Sequence, residues 1–151
     1  MALAEHLRTG LRGEQLAARY LRDADYTVIA ANYATRRGEL DIVALDPLDG
    51  LHFVEVKTRS PGGRFPPANS VDSEKKKHLI SAANTFLRHT DFGYRGVHFD
   101  IMEVILHDLN DAELHLITDA FRQRALPYER TAPETDAALI KKLRARLFGS
   151  R

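Results

Sequence analysis

The sequence predicts one α/β domain built around a mixed β-sheet. Three observations lead there. Two segments of helical periodicity flank a cluster of extended segments. The early extended segments are joined by turns too short for a crossover, which makes them antiparallel. Another extended segment follows the second helix, and a strand that returns after a helix runs parallel to its sheet neighbour.

The elements follow in order. Residues 5–22 read as a helix in which Leu7, Leu11, Ala18 and Leu21 fall on one stripe, with Leu16 off it. Gly10 and Gly13 weaken its first half, so its start is expected as late as Gly10. Residues 26–33 are β-branched and aromatic, and residues 39–45 and 52–57 alternate polar and apolar side chains. Arg36-Arg37-Gly38 and Asp46-Pro47-Leu48-Asp49-Gly50 supply the turns between them, giving a meander. Residues 58–71, with Pro61-Gly62-Gly63 and Pro66-Pro67, read as a loop. A second helix is expected from about Asp72 to Arg88, capped by Asp72 or Ser73, with Leu79, Ala83, Phe86 and Leu87 as its apolar face. Residues 97–106 form the next strand, and Leu114–Ile117 a short last one. Beyond Phe121, Pro127 and Pro133 bound a polar linker, and a terminal helix over about 135–148 carries Leu139, Leu143 and Leu147. The chain thus divides into a compact domain over 1–121 and a basic linker with a helical extension over 122–151.

Composition narrows the function classes. A chain of 151 residues suits one domain, and 44% hydrophobic residues suffice for a core. No apolar run approaches the roughly 18 residues of a membrane span. The first residues show no apolar signal stretch behind a basic start. The absence of cysteine excludes disulfides and thiolate metal sites, and fits a cytoplasmic protein with no membrane partner. The net charge of +1 hides an asymmetry. Residues 1–120 hold 14 basic against 18 acidic residues, a net −4, whereas residues 121–151 hold 8 against 3, a net +5. That basic arm reads either as a solvated helix face or as a contact for nucleic acid or an acidic partner. Its leucine stripe reads as packing on its own domain, or as docking on a partner or a second copy in a homodimer.

The chemistry concentrates in two strands. In residues 53–57, Glu55 and Lys57 share a face with Phe53, with Cα atoms about 6–7 Å apart, while Val54 and Val56 point the other way. In the preceding strand Glu39, Asp41 and Val43 share one face, and Leu40, Ile42 and Ala44 the other. If the apolar sets face one core, the acidic sets lie together on the opposite face, and a suitable register puts Asp41 beside Glu55. Carboxylates that close repel, and a cation relieves the repulsion. Lys57 supplies one cation. Mg²⁺ supplies more charge, takes one or two carboxylates, and completes its shell with water and phosphate oxygens. Phosphodiester cleavage requires a polarised phosphoryl oxygen, an activated water and neutralised developing charge. Asp41 and Glu55 would hold the metal, and Lys57 would orient or deprotonate the water and stabilise the pentacovalent phosphate. The plain alternative is a half-exposed charge pair worth about 0–1 kcal/mol.

Further residues join this reading. Glu14 falls in the middle of the first helix's apolar stripe, where a carboxylate is expensive unless paired, so it is expected to face the metal or Lys57. Alternatively the helix starts late and Glu14 sits near its N-terminus, favoured by the dipole. Lys75 and Lys76 in the first turn of the second helix, Arg59 and Arg64 in the loop, and Arg37 in the first turn are expected to meet nucleic-acid phosphates. The seven histidines show no zinc spacing, Gly62-Gly63 does not join a strand to a helix as a phosphate loop does, and no serine sits in a nucleophile elbow.

Several segments occur in a telling order: Gly13-Glu14, Asn32-Tyr33, Arg37-Gly38-Glu39-Leu40-Asp41-Ile42-Val43, Phe53-Val54-Glu55-Val56-Lys57-Thr58-Arg59, and Val71 with Lys75. Phe99-Asp100-Ile101 and Ile117-Thr118-Asp119-Ala120-Phe121 follow. Over about residues 10–121 the chain resembles the YraN-like family of small bacterial proteins. The resemblance implies a restriction-endonuclease-like fold, similar to archaeal Holliday-junction resolvases, with the Asp…Glu-x-Lys nuclease signature. It implies that Asp41 and Glu55 are metal ligands with the Val56 carbonyl as a third, that Lys57 is the catalytic lysine, and that Glu14 is the early helical glutamate of resolvase-type sites. The implied cofactor is Mg²⁺, with Mn²⁺ able to substitute. The implied activity is endonuclease cleavage of DNA, branched or damaged. The competing expectation is an inactive nucleic-acid-binding or adaptor module that keeps the fold. The chain departs from many superfamily members at Leu40, where they carry proline before the aspartate.

Overall fold

The computed structural model describes residues 2–63, 72–108 and 111–122. Arg64, Val71 and the expected C-terminal helix therefore lie outside the described residues. Helix α1 (Ala2–Asp23) leads into β1 (Thr27–Thr35), β2 (Gly38–Leu45) and β3 (Leu51–Arg59), then α2 (Ser73–Arg88), β4 (Val97–Leu106) and β5 (Ala112–Phe121). The five strands form one sheet in the order β1-β2-β3-β4-β5. β3 and β4 are parallel and the other pairs antiparallel, as the short turns and the intervening helix require. This is the α/β arrangement of a mixed sheet flanked by helices expected for a restriction-endonuclease-like fold.

The sheet is covered on both faces, as a sheet flanked by helices should be. Val28, Ile42, Ala44, Val54, Met102 and Val104 pack under Ala17, Ala18 and Leu21 of α1. Val43, Leu45, Leu51, Phe53 and Phe99 pack under Leu79, Ala82, Ala83 and Phe86 of α2. Glu55, in phase with Phe53, therefore shares its face with a second core rather than with open solvent. Leu40 departs from the expected alternation: it joins the α2 core with Val43, whereas Ile42 and Ala44 join the α1 core, so apolar packing occupies the position before Asp41.

Helix α1 also differs from expectation. It starts at Ala2, not near Gly10, because Ala2, Leu3, Ala4 and Glu5 are strong helix formers that offset the glycine cost. A 22-residue helix is about 33 Å long and outruns the sheet. Its buried residues begin at Gly13, leaving Leu7 at 68% and Leu11 at 52% exposure. The expected stripe is thus two stripes, and Ala17, fully buried, belongs to the packed one. Gly13 has a steric role, since a Cβ there would lie 1.8 Å from Thr58 Oγ1 of β3.

Helix α2 matches its predicted span, with Asp72 as N-cap accepting from the Glu74 N–H at 3.2 Å. β5 is longer than predicted. Asp119, at φ 50°, allows it to continue past Ile117 and resume pairing at Phe99↔Phe121 after a bulge in β5.

Candidate active site

The site forms where β2 and β3 separate. Their pairing runs from Leu45↔Leu51 to Ile42↔Val54. At the next step the backbone ladder is replaced by a side chain: Asp41 Oδ2 accepts the Val56 N–H at 2.7 Å. That bond fixes Asp41 on β3 beside Glu55, the neighbourhood expected of the two strands, although Leu40 breaks the alternation of β2. Glu55 is 4% exposed, and its Oε1 accepts from Lys57 Nζ at 3.0 Å and from Lys75 Nζ at 3.0 Å. Its other oxygen, Oε2, is buried with no hydrogen-bond partner among the described residues.

This electrostatic arrangement is strained. Burial, and then the negative charge of Glu55, push the Asp41 carboxyl up to about 7; the Val56 N–H and Lys75 oppose this, and Glu14 adds to it. Burial would lower the Lys75 ammonium's pKa, but its bond to Glu55 and the charges of Asp41 and Glu39 outweigh that and raise it.

Glu14 lies at mid-helix, which removes the helix-start explanation. The partner that holds it is Asn32 rather than Lys57. Burial raises its pKa, the hydrogen bond with Asn32 opposes this, and Glu39 and Glu55 add repulsion. Glu14 is thus electrically part of the acid group, but held by an amide. Asn32 is a site residue that the strand reading missed. The available signal was its type, because Asn tolerates positive φ and Asn32 sits at φ 53° within β1.

Of the five expected phosphate contacts Arg64 lies outside the described residues, and the other four divide. Lys75 reaches the acids. Lys76 turns toward β5, its Nζ 5.6 Å from the centre of the Phe121 ring. Arg37 is exposed in the β1–β2 turn, where its N–H bonds Thr35 Oγ1 at 3.2 Å. That turn lies against α2, since a Cβ on Gly38 would come within 3.0 Å of the His78 carbonyl oxygen. Arg59 ends β3 and donates from Nη1 to the Ser60 carbonyl at 3.3 Å.

The donor set fits Mg²⁺. Two carboxylates and the Val56 carbonyl are hard oxygen donors. The bare Glu55 Oε2 and the raised Asp41 both call for positive charge. Among the described residues no group of three or more His, Cys, Asp or Glu side chains is spaced to hold a metal. An ion at Asp41 and Glu55 would therefore complete its shell with water and phosphate oxygens, as Mg²⁺ commonly does.

A second polar cluster was not anticipated. His52, 4% exposed, lies between Asp100 and Asp46, with Nδ1 2.5 Å from Asp100 Oδ2 and Nε2 3.2 Å from Asp46 Oδ2. The lone His52 gave no sequence signal, because its partners lie on β4 and in the β2–β3 turn.

Among the described residues no helix is long and apolar enough to cross a membrane. Residues 13–104 match the model of the family described as "Uncharacterised protein family UPF0102". A UPF0102 protein of Solibacter usitatus is 48% identical over 99 residues, covering 64% of this chain and 74% of that protein. One from Chlorobium phaeobacteroides is 37% identical over 117 residues, covering 74% of this chain and 92% of its own length. One from Rhodococcus opacus is 35% identical over 119 residues, covering 79% of this chain and 100% of its own. The matched segment holds α1 from Gly13 onward, the acid pair, both lysines bound to Glu55, and the Asp100 cluster, and on this evidence the chain belongs to the UPF0102, or YraN-like, family.

Proposed function

We propose that this protein is a Mg²⁺-dependent endonuclease that cleaves DNA phosphodiesters, with branched or damaged DNA as its substrate. The observation that carries the reading is the convergence of Asp41 and Glu55 beside two ammonium groups, with a buried carboxylate oxygen left bare. Asp41, Glu55 and the Val56 carbonyl would hold the ion. When bound, it would polarise the phosphoryl oxygen and lower the pKa of a water.

The chain's own residues supply the remainder. The Asp41–Val56 hydrogen bond fixes one carboxylate on the strand that carries the other. Lys57, held by Glu55 with 38% of its side chain exposed, can turn its ammonium toward an attacking water or the phosphate charge. Glu14 adds negative charge that strengthens the demand for a cation. Arg37, exposed in the β1–β2 turn, and Arg59, at the end of β3, suit backbone phosphates, which position a substrate without reading its sequence.

The test is incubation with junction, flap and single-stranded DNA in the presence of Mg²⁺ or Mn²⁺. Cleavage by the wild type that falls at least a hundredfold in Asp41→Ala and Glu55→Ala is expected. No cleavage of any substrate, or equal cleavage by both variants, removes the reading.

One observation favours a second reading. Two ammonium groups already neutralise Glu55, so the fold can hold its acids without an ion. A non-catalytic nucleic-acid-binding or adaptor module would use the same surface and the basic residues after Phe121. Binding that survives both carboxylate substitutions, disappears on truncation after Phe121, and weakens steeply with salt would support it.

A further inference from the structure

Two cations meet one oxygen at this site while the second oxygen has none. Lys57 and Lys75 each place Nζ 3.0 Å from Glu55 Oε1, and Oε2 is buried and bare. The two lysines are not equivalent. Lys57 stands on the same strand and face as Glu55, directly across from Glu103 on β4. Its backbone is fixed by the sheet. Lys75 comes from the first turn of α2, where the helix dipole disfavours a cation. Its side chain is 47% exposed, so a route to solvent is open. Lys76 beside it faces the Phe121 ring instead. Lys75 therefore holds an unfavourable position on account of the acids, and only its end is committed.

We infer that Lys75 is a displaceable counter-ion of Glu55: in the free protein its ammonium holds the charge position that a divalent cation takes over, and once displaced it binds a phosphate of the nucleic acid. This rests on the metal-dependent reading above. Two consequences follow from charge balance. Lys75 competes with the metal when nucleic acid is absent. Nucleic acid draws the competitor away, so metal and nucleic acid strengthen each other's binding by the same factor. The protein then holds metal weakly until its substrate is present.

Calorimetric titration with Mn²⁺ in the absence of nucleic acid tests this. It compares the full-length wild type with Lys75→Gln, Lys75→Arg and Asp41→Ala, and melting curves confirm that each is folded. Lys75→Gln is expected to bind Mn²⁺ roughly two- to fivefold more tightly than wild type, the range of one partly exposed ion pair. Lys75→Arg, which keeps the charge, stays near wild type, and Asp41→Ala loses binding. With Mn²⁺ present, Lys75→Gln is expected to bind a phosphorothioate DNA several-fold more weakly. A merely structural lysine would not move the two affinities in opposite directions. Equal or weaker Mn²⁺ binding by Lys75→Gln, with wild type binding and Asp41→Ala not, overturns this inference and leaves the metal site standing. No Mn²⁺ binding by either wild type or Lys75→Gln overturns both.

Discussion

Two carboxylate clusters sit on β3, at His52 and at Glu55, and they are built in opposite ways. At His52 the cation stands between the acids. An imidazolium there donates to Asp100 on one side and Asp46 on the other. The outer oxygens are occupied too. Asp100 Oδ1 accepts the Asp119 N–H at 2.9 Å, and Asp46 Oδ1 accepts from Leu48 at 2.7 Å and Gly50 at 2.8 Å. The His98 ring stacks on His52 at 4.5 Å, and the Tyr26 ring meets it edge-on at 5.1 Å. At Glu55 both cations meet a single oxygen of one acid. Asp41 is repelled by Glu55 more strongly than Lys75 relieves it, and Glu55 Oε2 is bare. The first cluster is closed and joins β2–β3 turn, β3, β4 and β5. The second is open toward a charge it lacks. Burial and residue type are alike in both, so the position of the cation separates a structural cluster from a candidate reactive one.

The largest expected difference is in stability. Asp100 has no exposed surface, and removing it strands a buried histidine and the Asp119 N–H. Asp100→Ala is expected to cost about 3–5 kcal/mol, as breaking a buried ion pair does. Glu55→Ala strands only Lys57 and Lys75, which are 38% and 47% exposed and can hydrate. Its cost should stay near 1 kcal/mol, because relief of repulsion on Asp41 offsets the lost bonds. Urea unfolding of both variants measures this. Equal costs would break the contrast and make the Glu55 cluster structural as well.

A steric change touches only the Glu55 end. Gly13 lets α1 approach β3 at Thr58, one residue before Glu14. Gly13→Ala puts a Cβ 1.8 Å from Thr58 Oγ1 and is expected to cost about 1–3 kcal/mol through overpacking. Gly10→Ala meets nothing within 4 Å and should gain about 0.5–1 kcal/mol from helix propensity. Thermal melting of the pair gives opposite signs if the helix meets the sheet only from Gly13 onward.

Charge should matter in the direction the open site implies. Asp41 is raised from its ordinary value to about 7, so its contribution to stability is present below the unfolded value near 3.8 and lost as pH rises through about 7. Asp41→Asn keeps an acceptor for the Val56 N–H and has nothing to ionise. The variant should melt a few degrees above wild type at pH 8, with the gap closing toward pH 4. A gap independent of pH would mean that Asp41 is not held against its charge.

These contrasts also explain which features were legible in the sequence. Alternation in residues 39–45 and 52–57 identified Asp41, Glu55 and Lys57 as sharing a face, and the short turn made them neighbours. The meander of the first three strands followed from the same pattern and the short turns between them. What alternation cannot report is the other side of a face. Val43 and Phe53 were legible as apolar, but not that α2 covers them. The α1 stripe failed for a related reason: periodicity gives the phase of a helix but not how far the sheet extends beneath it. The His52 cluster was invisible because Asp46 and Asp100 meet His52 only through the β3–β4 register and the turn. Each is an ordinary polar residue in its own segment.

The smallest expected effect separates the two clusters by sign. Burial would lower the His52 pKa, but the Asp100 bond and charge, then Asp46, outweigh it and raise the ring above its ordinary 6.5. Its contribution is therefore complete below pH 6.5 and lost as pH rises through the raised folded value. Asp46 is lowered by its backbone bonds and His52 against the opposing effect of burial, so its contribution is present above its unfolded value near 3.8 and lost as pH falls through the folded value. The closed cluster thus stabilises most at mildly acidic pH. His52→Gln should melt below wild type there, and the deficit should shrink as pH rises past neutrality. Asp41→Asn gains on wild type over the same interval. Two substitutions on adjoining strands then give melting differences that move in the same direction with pH from opposite starting points, one a deficit that fades and the other an advantage that grows. A His52→Gln deficit constant from pH 6 to 9 would show that the histidine acts through shape and hydrogen bonding alone, and that only the Glu55 end of β3 senses charge.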